Sequence, residues 1–116
     1  MDKAIIKCVY QIVGNSYCVE EKEGEGVYEI LCEFIKEKHP VNLSFMNIKL
    51  VTVSFLNSAI GKLYKVFTEE EIRTYLTVSN IDDIDKVLLK KVVSNAKEYY
   101  KNPTFLEESF NKVIEE

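Results

Sequence analysis

Within fewer than twenty residues, from Val27 to Phe45, the hydrophobic period of the chain switches from helical to extended across one proline. This junction constrains the fold more than any other feature. Val27, Ile30, Leu31, Phe34 and Ile35 recur at the i, i+3, i+4, i+7, i+8 spacing of one helical face, with Glu29, Glu33, Lys36 and Glu37 on the other. A helix is predicted there, entered after Gly24 and Gly26. It stops at His39-Pro40, because proline disfavours helical geometry in the residue before it. Val41-Asn42-Leu43-Ser44-Phe45 then alternates apolar with small polar residues and meets Met46-Asn47, the pattern of a central strand and its exit turn.

The flanking segments extend this alternation. Ala4 to Val9 is short and β-branched and leads towards the turn-forming pair Gly14-Asn15, so it reads as the first strand. Tyr17 to Val19 is a second short strand, interrupted by Glu20, Glu21 and Glu23, and Ile48 to Val53 is a further extended piece. Phe55, Ala59, Ile60, Leu63 and Tyr64 show helical spacing, which predicts a second helix from about Ser54 to Val66. Thr68 followed by Glu69, Glu70 and Glu71 has the form of a capping box opening a short helical turn. Thr74 to Val78 makes the last strand, closed by Ser79-Asn80. Asp82 and Asp83 open a long helix with Ile84, Val87, Leu88, Val92, Ala96 and Tyr99 as its core-facing stripe. After Pro103, a Thr104 cap with Glu107 begins a final helix bearing Leu106, Ser109, Phe110 and Val113 on one face. The expected fold class is α/β: a small mixed, partly parallel sheet of about four strands with helices packed against it, plus an extra C-terminal helix.

Charge and cysteine content exclude several functions. Fifteen Lys and Arg against nineteen Asp and Glu give a net charge of −4 and a pI near 5.1, so the chain lacks the positive field that holds a nucleic-acid backbone. The uncharged stretch Leu50 to Gly61 is far shorter than the roughly 20 apolar residues a spanning helix needs, and no membrane association is expected. The N-terminus carries no apolar core followed by a small-residue cleavage site, which makes the cytoplasm the expected compartment. Cys8, Cys18 and Cys32 are odd in number and widely spaced, as for reduced thiols, with Cys8 and Cys32 on apolar faces. One histidine, His39, and three scattered cysteines offer no zinc-type ligand pairs and no catalytic triad, so no metal, no cofactor and no enzymatic activity are expected. Gly24 and Gly26 are flanked by Glu23 and Glu25, which would repel a phosphate, and are read as a hinge or helix entry.

Leu43-Ser44-Phe45, then Ser54-Phe55-Leu56-Asn57, then Ile60-Gly61-Lys62-Leu63 resemble the signature of a STAS-like domain family of uncharacterised function. The likeness runs from about Gly14 to Tyr100. It divides the chain into a STAS-like domain over 1–102 and an amphipathic helix over 103–116. In that family an aspartate usually stands where Ser44 is, and an acidic pair where Asn57 and Ser58 are. Such domains resemble the bacterial anti-sigma-factor antagonists, non-catalytic regulators that bind histidine-kinase-type ATPases and are often phosphorylated on a serine at the start of the second helix. The resemblance implies a regulatory protein–protein interaction module with a kinase-like ATPase as partner. Ser54 is the closest equivalent of the phosphorylated serine, although Thr52-Val53-Ser54-Phe55 replaces the Asp-Ser-Ser-Gly of the antagonists.

Each candidate residue also has a plainer reading. Ser54 is either a switch or an ordinary N-cap, since serine is among the commonest caps. Asn57, Ser58 and Lys62 would form the partner-binding surface around it, and Gly61 would permit another backbone to approach the helix. The final segment, with Phe105 and Phe110, either packs on its own domain or contacts a partner or a second copy in a homodimer. Two other functions stay open: an adaptor or mobile-element interaction protein using that last helix, and a small nucleotide-binding domain built from His39, Arg73 and the carboxylates.

Overall fold

The computed structural model describes residues 3–101. Strand β1 (Ile5–Cys8) runs into a single helical turn, α1 (Val9–Val13), which ends at Gly14 in the left-handed region with φ +87°. The amide of Gly14 donates to the Tyr10 carbonyl at 2.8 Å, closing the turn in a conformation that glycine adopts at no steric cost. Then follow β2 (Tyr17–Cys18), α2 (Glu21–Lys36), β3 (Val41–Ser44) and β4 (Leu50–Val51). Helix α3 (Val53–Leu56) continues through a π-helical stretch, Asn57–Gly61, into α4 (Leu63–Val66). The described residues end with α5 (Glu69–Tyr75), β5 (Leu76–Ser79) and α6 (Asp83–Lys101).

Among the described residues every strand pairing is parallel. β3 lies centrally between β1 and β5, with Ile5 opposite Val41 and Val41 opposite Leu76, while β2 and β4 form a separate two-stranded ribbon pairing Tyr17 with Leu50 and Cys18 with Val51. The expected single mixed sheet is therefore two small parallel ones. Alternation along β3 buries Val41 and Leu43 in the core with Val27, Leu31, Ile35, Phe55 and Leu56, all nearly inaccessible to solvent. Asn42 and Ser44 carry the polar pattern of the same strand. The Asn42 side chain donates to Thr77 Oγ1 at 2.8 Å and accepts from the Ser79 hydroxyl at 2.6 Å, joining β3 to β5. Ser44, buried, accepts from Asn80 Nδ2 at 2.9 Å and from the Met46 amide at 3.3 Å, and so shapes the exits of both strands.

Several expectations are corrected. The first strand stops at Cys8, because Val9 already belongs to α1. Helix α2 starts at Glu21, so Gly24 and Gly26 lie within it and are no hinge; the acidic run is its first turn, where Glu23 Oε1 accepts from the Glu20 amide at 3.1 Å and favours the positive end of the helix dipole. The strand expected at Thr74 begins only at Leu76, since α5 persists through Tyr75 behind the Thr68–Glu71 capping box, in which Glu71 Oε1 accepts from the Thr68 amide at 2.9 Å and Thr68 Oγ1 from the Glu71 amide at 3.1 Å. On α6, Val92 and Ala96 are buried and Leu88 is half-buried, but Ile84 is 83% and Val87 69% exposed and Tyr99 is exposed too, so the predicted stripe faces the core only in its middle, from Leu88 to Ala96. All three cysteines are free: Cys18 and Cys32 are buried and Cys8 is half-buried. The expected helix over 103–116, with Phe105 and Phe110, lies outside the described residues.

Candidate functional site

The segment Val53–Lys62 connects α2 on one side with α6 on the other. Against α2 it is seated without a gap: a Cβ added to Gly24 would come within 2.6 Å of the Phe55 carbonyl oxygen, 2.8 Å of Ser58 Cβ and 3.1 Å of the Ala59 nitrogen. Glycine at position 24 is what lets the two backbones meet. Ser58, 1% exposed, locks the seam by donating its hydroxyl to the Glu21 carbonyl at 2.7 Å. Against α6 the same segment leaves a cleft of about 580 Å³. Val53, Ser54, Asn57 and Lys62 line one side; Leu88, Lys91, Val92, Asn95, Ala96, Tyr99 and Tyr100 line the other, with Glu21 also in the wall.

The helix cap is not Ser54. Thr52 takes that role in extended conformation, its Oγ1 accepting from the Phe55 amide at 3.2 Å and donating to the Val19 carbonyl at 2.8 Å. The threonine thus both opens α3 and fastens it to the end of β2. Ser54, one residue inside the helix, is exposed, and among the described residues its hydroxyl has no side-chain hydrogen bond. Asn57 is likewise exposed, whereas Ser58 is withdrawn into the α2 seam and offers no hydroxyl to a partner. Lys62 is half-buried, with Nζ 3.5 Å from Glu25 Oε1 and 5.9 Å from the centre of the Tyr28 ring, an ion pair and a cation–π contact that hold it beside α2. The four residues that the family resemblance grouped lie around one cleft, with Ser54 and Asn57 exposed, Lys62 half-buried and Ser58 buried.

Burial first, then the adjacent Cys32 thiol, pushes Tyr28 up to about 12, while burial and the neighbouring Tyr99 raise Tyr100 against an opposing pull from Lys62. Tyr99 and Tyr100 meet edge to face with ring centres 4.9 Å apart. Burial, with Glu23 nearby, raises the Cys18 thiol to about 11, so it stays protonated and unreactive near neutrality. The groups of the nucleotide-binding alternative are engaged separately: His39 Nδ1 lies 2.9 Å from the Pro40 carbonyl and its ring packs edge-on to Phe34, while Arg73 bonds Glu69 at 2.8 Å on α5. Among the described residues, no three His, Cys, Asp or Glu side chains converge as metal ligands would. No helix described is long and apolar enough to cross a membrane.

Sequence reasoning missed the α6 wall of the cleft. Lys91, Asn95 and Tyr99 recur at i, i+4 and i+8, which places them on one face, but nothing in the sequence says that this face borders Ser54.

Central parallel strand, capped helix directly after β4 and a long last helix across it define a small α/β module of the STAS-like class. Residues 23–86 match the family described as a STAS-like domain of unknown function, more than half of the chain, and the protein belongs to that family. The match begins within the first turn of α2 and ends in the first turn of α6, spanning β3 to β5 and leaving out β1. No curated protein and no solved structure matches the chain.

Proposed function

We propose that the protein is a non-enzymatic regulatory module that binds a histidine-kinase-type ATPase through the surface around Ser54, Asn57 and Lys62, and that phosphorylation of Ser54 controls this binding. The observation that carries the reading is the division of labour at the start of α3: Thr52 makes the cap and Ser54 stands exposed with no structural task of its own, at the rim of a cleft. Family membership supports a regulatory role in coarse terms. A phosphate on Ser54 would add a charge of about −1.5 to −2 where the partner docks and would repel an acidic or desolvated surface.

The test is to isolate the chain from its native cells, map its phosphorylation by mass spectrometry, and compare wild type, Ser54→Ala and Ser54→Glu as baits. The expected result is a phosphopeptide at Ser54 and an ATPase retained by wild type and Ser54→Ala but lost with Ser54→Glu. Equal retention by all three removes the switch, and absence of any such ATPase removes the partner assignment.

A further inference from the structure

Among the described residues, the outer face of α6 is uncovered at its start. Ile84 and Val87, 83% and 69% exposed, stand three residues apart on that face, the spacing at which helical side chains are neighbours. Single exposed hydrophobics are ordinary, but neighbouring ones on a rigid helix mark a surface that meets another. The charges around them are sorted along the helix. Asp82 and Asp83 precede the pair, Lys86 lies beside it, and Lys90 and Lys91 follow it, all exposed. The helix dipole accounts for the two acids at the start, but not for three lysines within the next two turns. Asp82 and Lys86 are four apart, within reach of each other on a helix, yet the ion pairs among the described residues are Lys62–Glu25, Arg73–Glu69 and Lys97–Glu69, which leave both out. We propose that this face binds a second copy of the chain, the two α6 helices packed antiparallel about a two-fold axis at Val87.

Symmetry and charge select this occupant. A two-fold interface presents the same patch from both sides, so the patch must complement itself. Val87 stands midway between Asp83 and Lys91, and an axis there sets each Asp83 opposite Lys91 of the second copy. The same axis brings the two Val87 side chains together and lays each Ile84 along the aliphatic stem of Lys90 of the second copy. Acid meets base because the sign of the charge changes across the axis; parallel helices would set acid against acid and lysine against lysine. At 1.5 Å per residue, Asp83 and Lys91 are about 12 Å apart along the helix, so the seam is little more than two turns long. A seam this short fits a weak, concentration-dependent dimer and not an obligate one. The pairing uses no property of Ser54, so it does not rest on the function proposed for that residue.

The experiment is sedimentation of the full chain over a roughly hundredfold range of concentration reaching about 1 mM, with circular dichroism to check that each variant is folded. Wild type is expected to show a monomer–dimer equilibrium that weakens as salt is added. Val87→Asp should weaken it at least about tenfold, as a charge placed on the axis meets its own copy. Asp83→Lys and Lys91→Glu should each weaken self-association by about tenfold when alone, because each leaves like charges facing across the seam. An equimolar mixture of these two variants should restore the dimer, since the new lysine then faces the new glutamate and the remaining Lys91 faces the remaining Asp83. A wild-type chain that stays monomeric throughout overturns the proposal. A dimer that is indifferent to all three substitutions, or a mixture that does not recover, overturns it as well, and places any self-association on another surface. Neither an ATPase nor a phosphate enters the measurement, so a failed partner search leaves its result standing.

Discussion

The segment Val53–Gly61 is held by two helices through contacts of opposite character. Towards α2 it meets backbone against backbone at Gly24, with Ser58 bonded across the seam. Towards α6 it meets side chains across a cleft, where a Cβ on Gly61 would find Asn57 Oδ1 at 3.3 Å, Val92 Cγ1 at 3.7 Å and Ala96 Cβ at 3.8 Å. The close backbone approach expected at Gly61 therefore belongs to Gly24. A tight seam fixes the shape of the segment on the α2 side, and the open side leaves Ser54 and Asn57 exposed.

The comparison can be broken most sharply at Gly24. Gly24→Ala gains helix propensity of about 1 kcal/mol, but forces a methyl into the Phe55 carbonyl and the Ala59 nitrogen, so a net loss of about 1–3 kcal/mol is expected from the urea midpoint. Ser58→Ala leaves the Glu21 carbonyl without its donor, and should cost about 1–2 kcal/mol in the same titration. Thr52→Ala should cost about 1 kcal/mol as the loss of a cap. Ser54→Ala, by contrast, should stay within about 0.5 kcal/mol of wild type, as an exposed site outside any network does. If the two values were reversed, Ser54 would be the cap.

On the cleft side the effects shrink and one changes sign. Gly61→Ala meets only the end of an exposed Asn57 side chain and ordinary contacts on α6, so the gain in propensity should stabilise by up to about 1 kcal/mol, measured by thermal unfolding. The smallest effect is at the far end of α6, where Lys97 Nζ lies 2.7 Å from Glu69 Oε1. Hydrogen bonds from Lys97 and then Arg73 hold the Glu69 carboxyl below its ordinary value. A depressed carboxyl stabilises the fold above its unfolded value of about 4.3 and loses that contribution as pH falls through the lower folded one. Stability measured from pH 5 to pH 3 should therefore fall less steeply in Glu69→Gln than in wild type.

Where a side chain's periodicity matched its burial, the fold was legible in the sequence. Val27, Leu31 and Ile35 lie on the face of α2 that the spacing indicated, and Val41 and Leu43 are the buried half of the central strand. One-turn α1 was not legible, because Val9, Ile12 and Val13 are β-branched residues that read as a strand continuing from Ile5. The start of α2 was hidden by Gly24 and Gly26, which interrupt the apolar period for a packing reason that only the Phe55 backbone supplies. Ile84 and Val87 kept the helical spacing while facing solvent, since a period shows that residues share a face and not what that face meets. At the site, the grouping of Ser54, Asn57, Ser58 and Lys62 came from the resemblance. The assignment of the cap to Thr52 needed coordinates because Thr52 and Ser54 offer the same kind of hydroxyl two residues apart, and the burial of Ser58 because it depends on Glu21, 37 positions away.

The parallel pairing has a consequence for the order in which structure can form. Ile5 waits for Val41, Val41 for Leu76, and Tyr17 for Leu50, so no strand has a neighbour it can reach by a tight turn. Each closure spans some tens of residues and bears the loop entropy of that distance, which places the sheets among the slow, late events of folding. Helix α2 has its acidic first turn and its hydrogen bonds within its own sequence and can form while the rest is still being made. During synthesis, its buried face of Val27, Leu31 and Ile35 has nothing to rest on until β3 has emerged, and β3 keeps an open edge until Ser79 has followed.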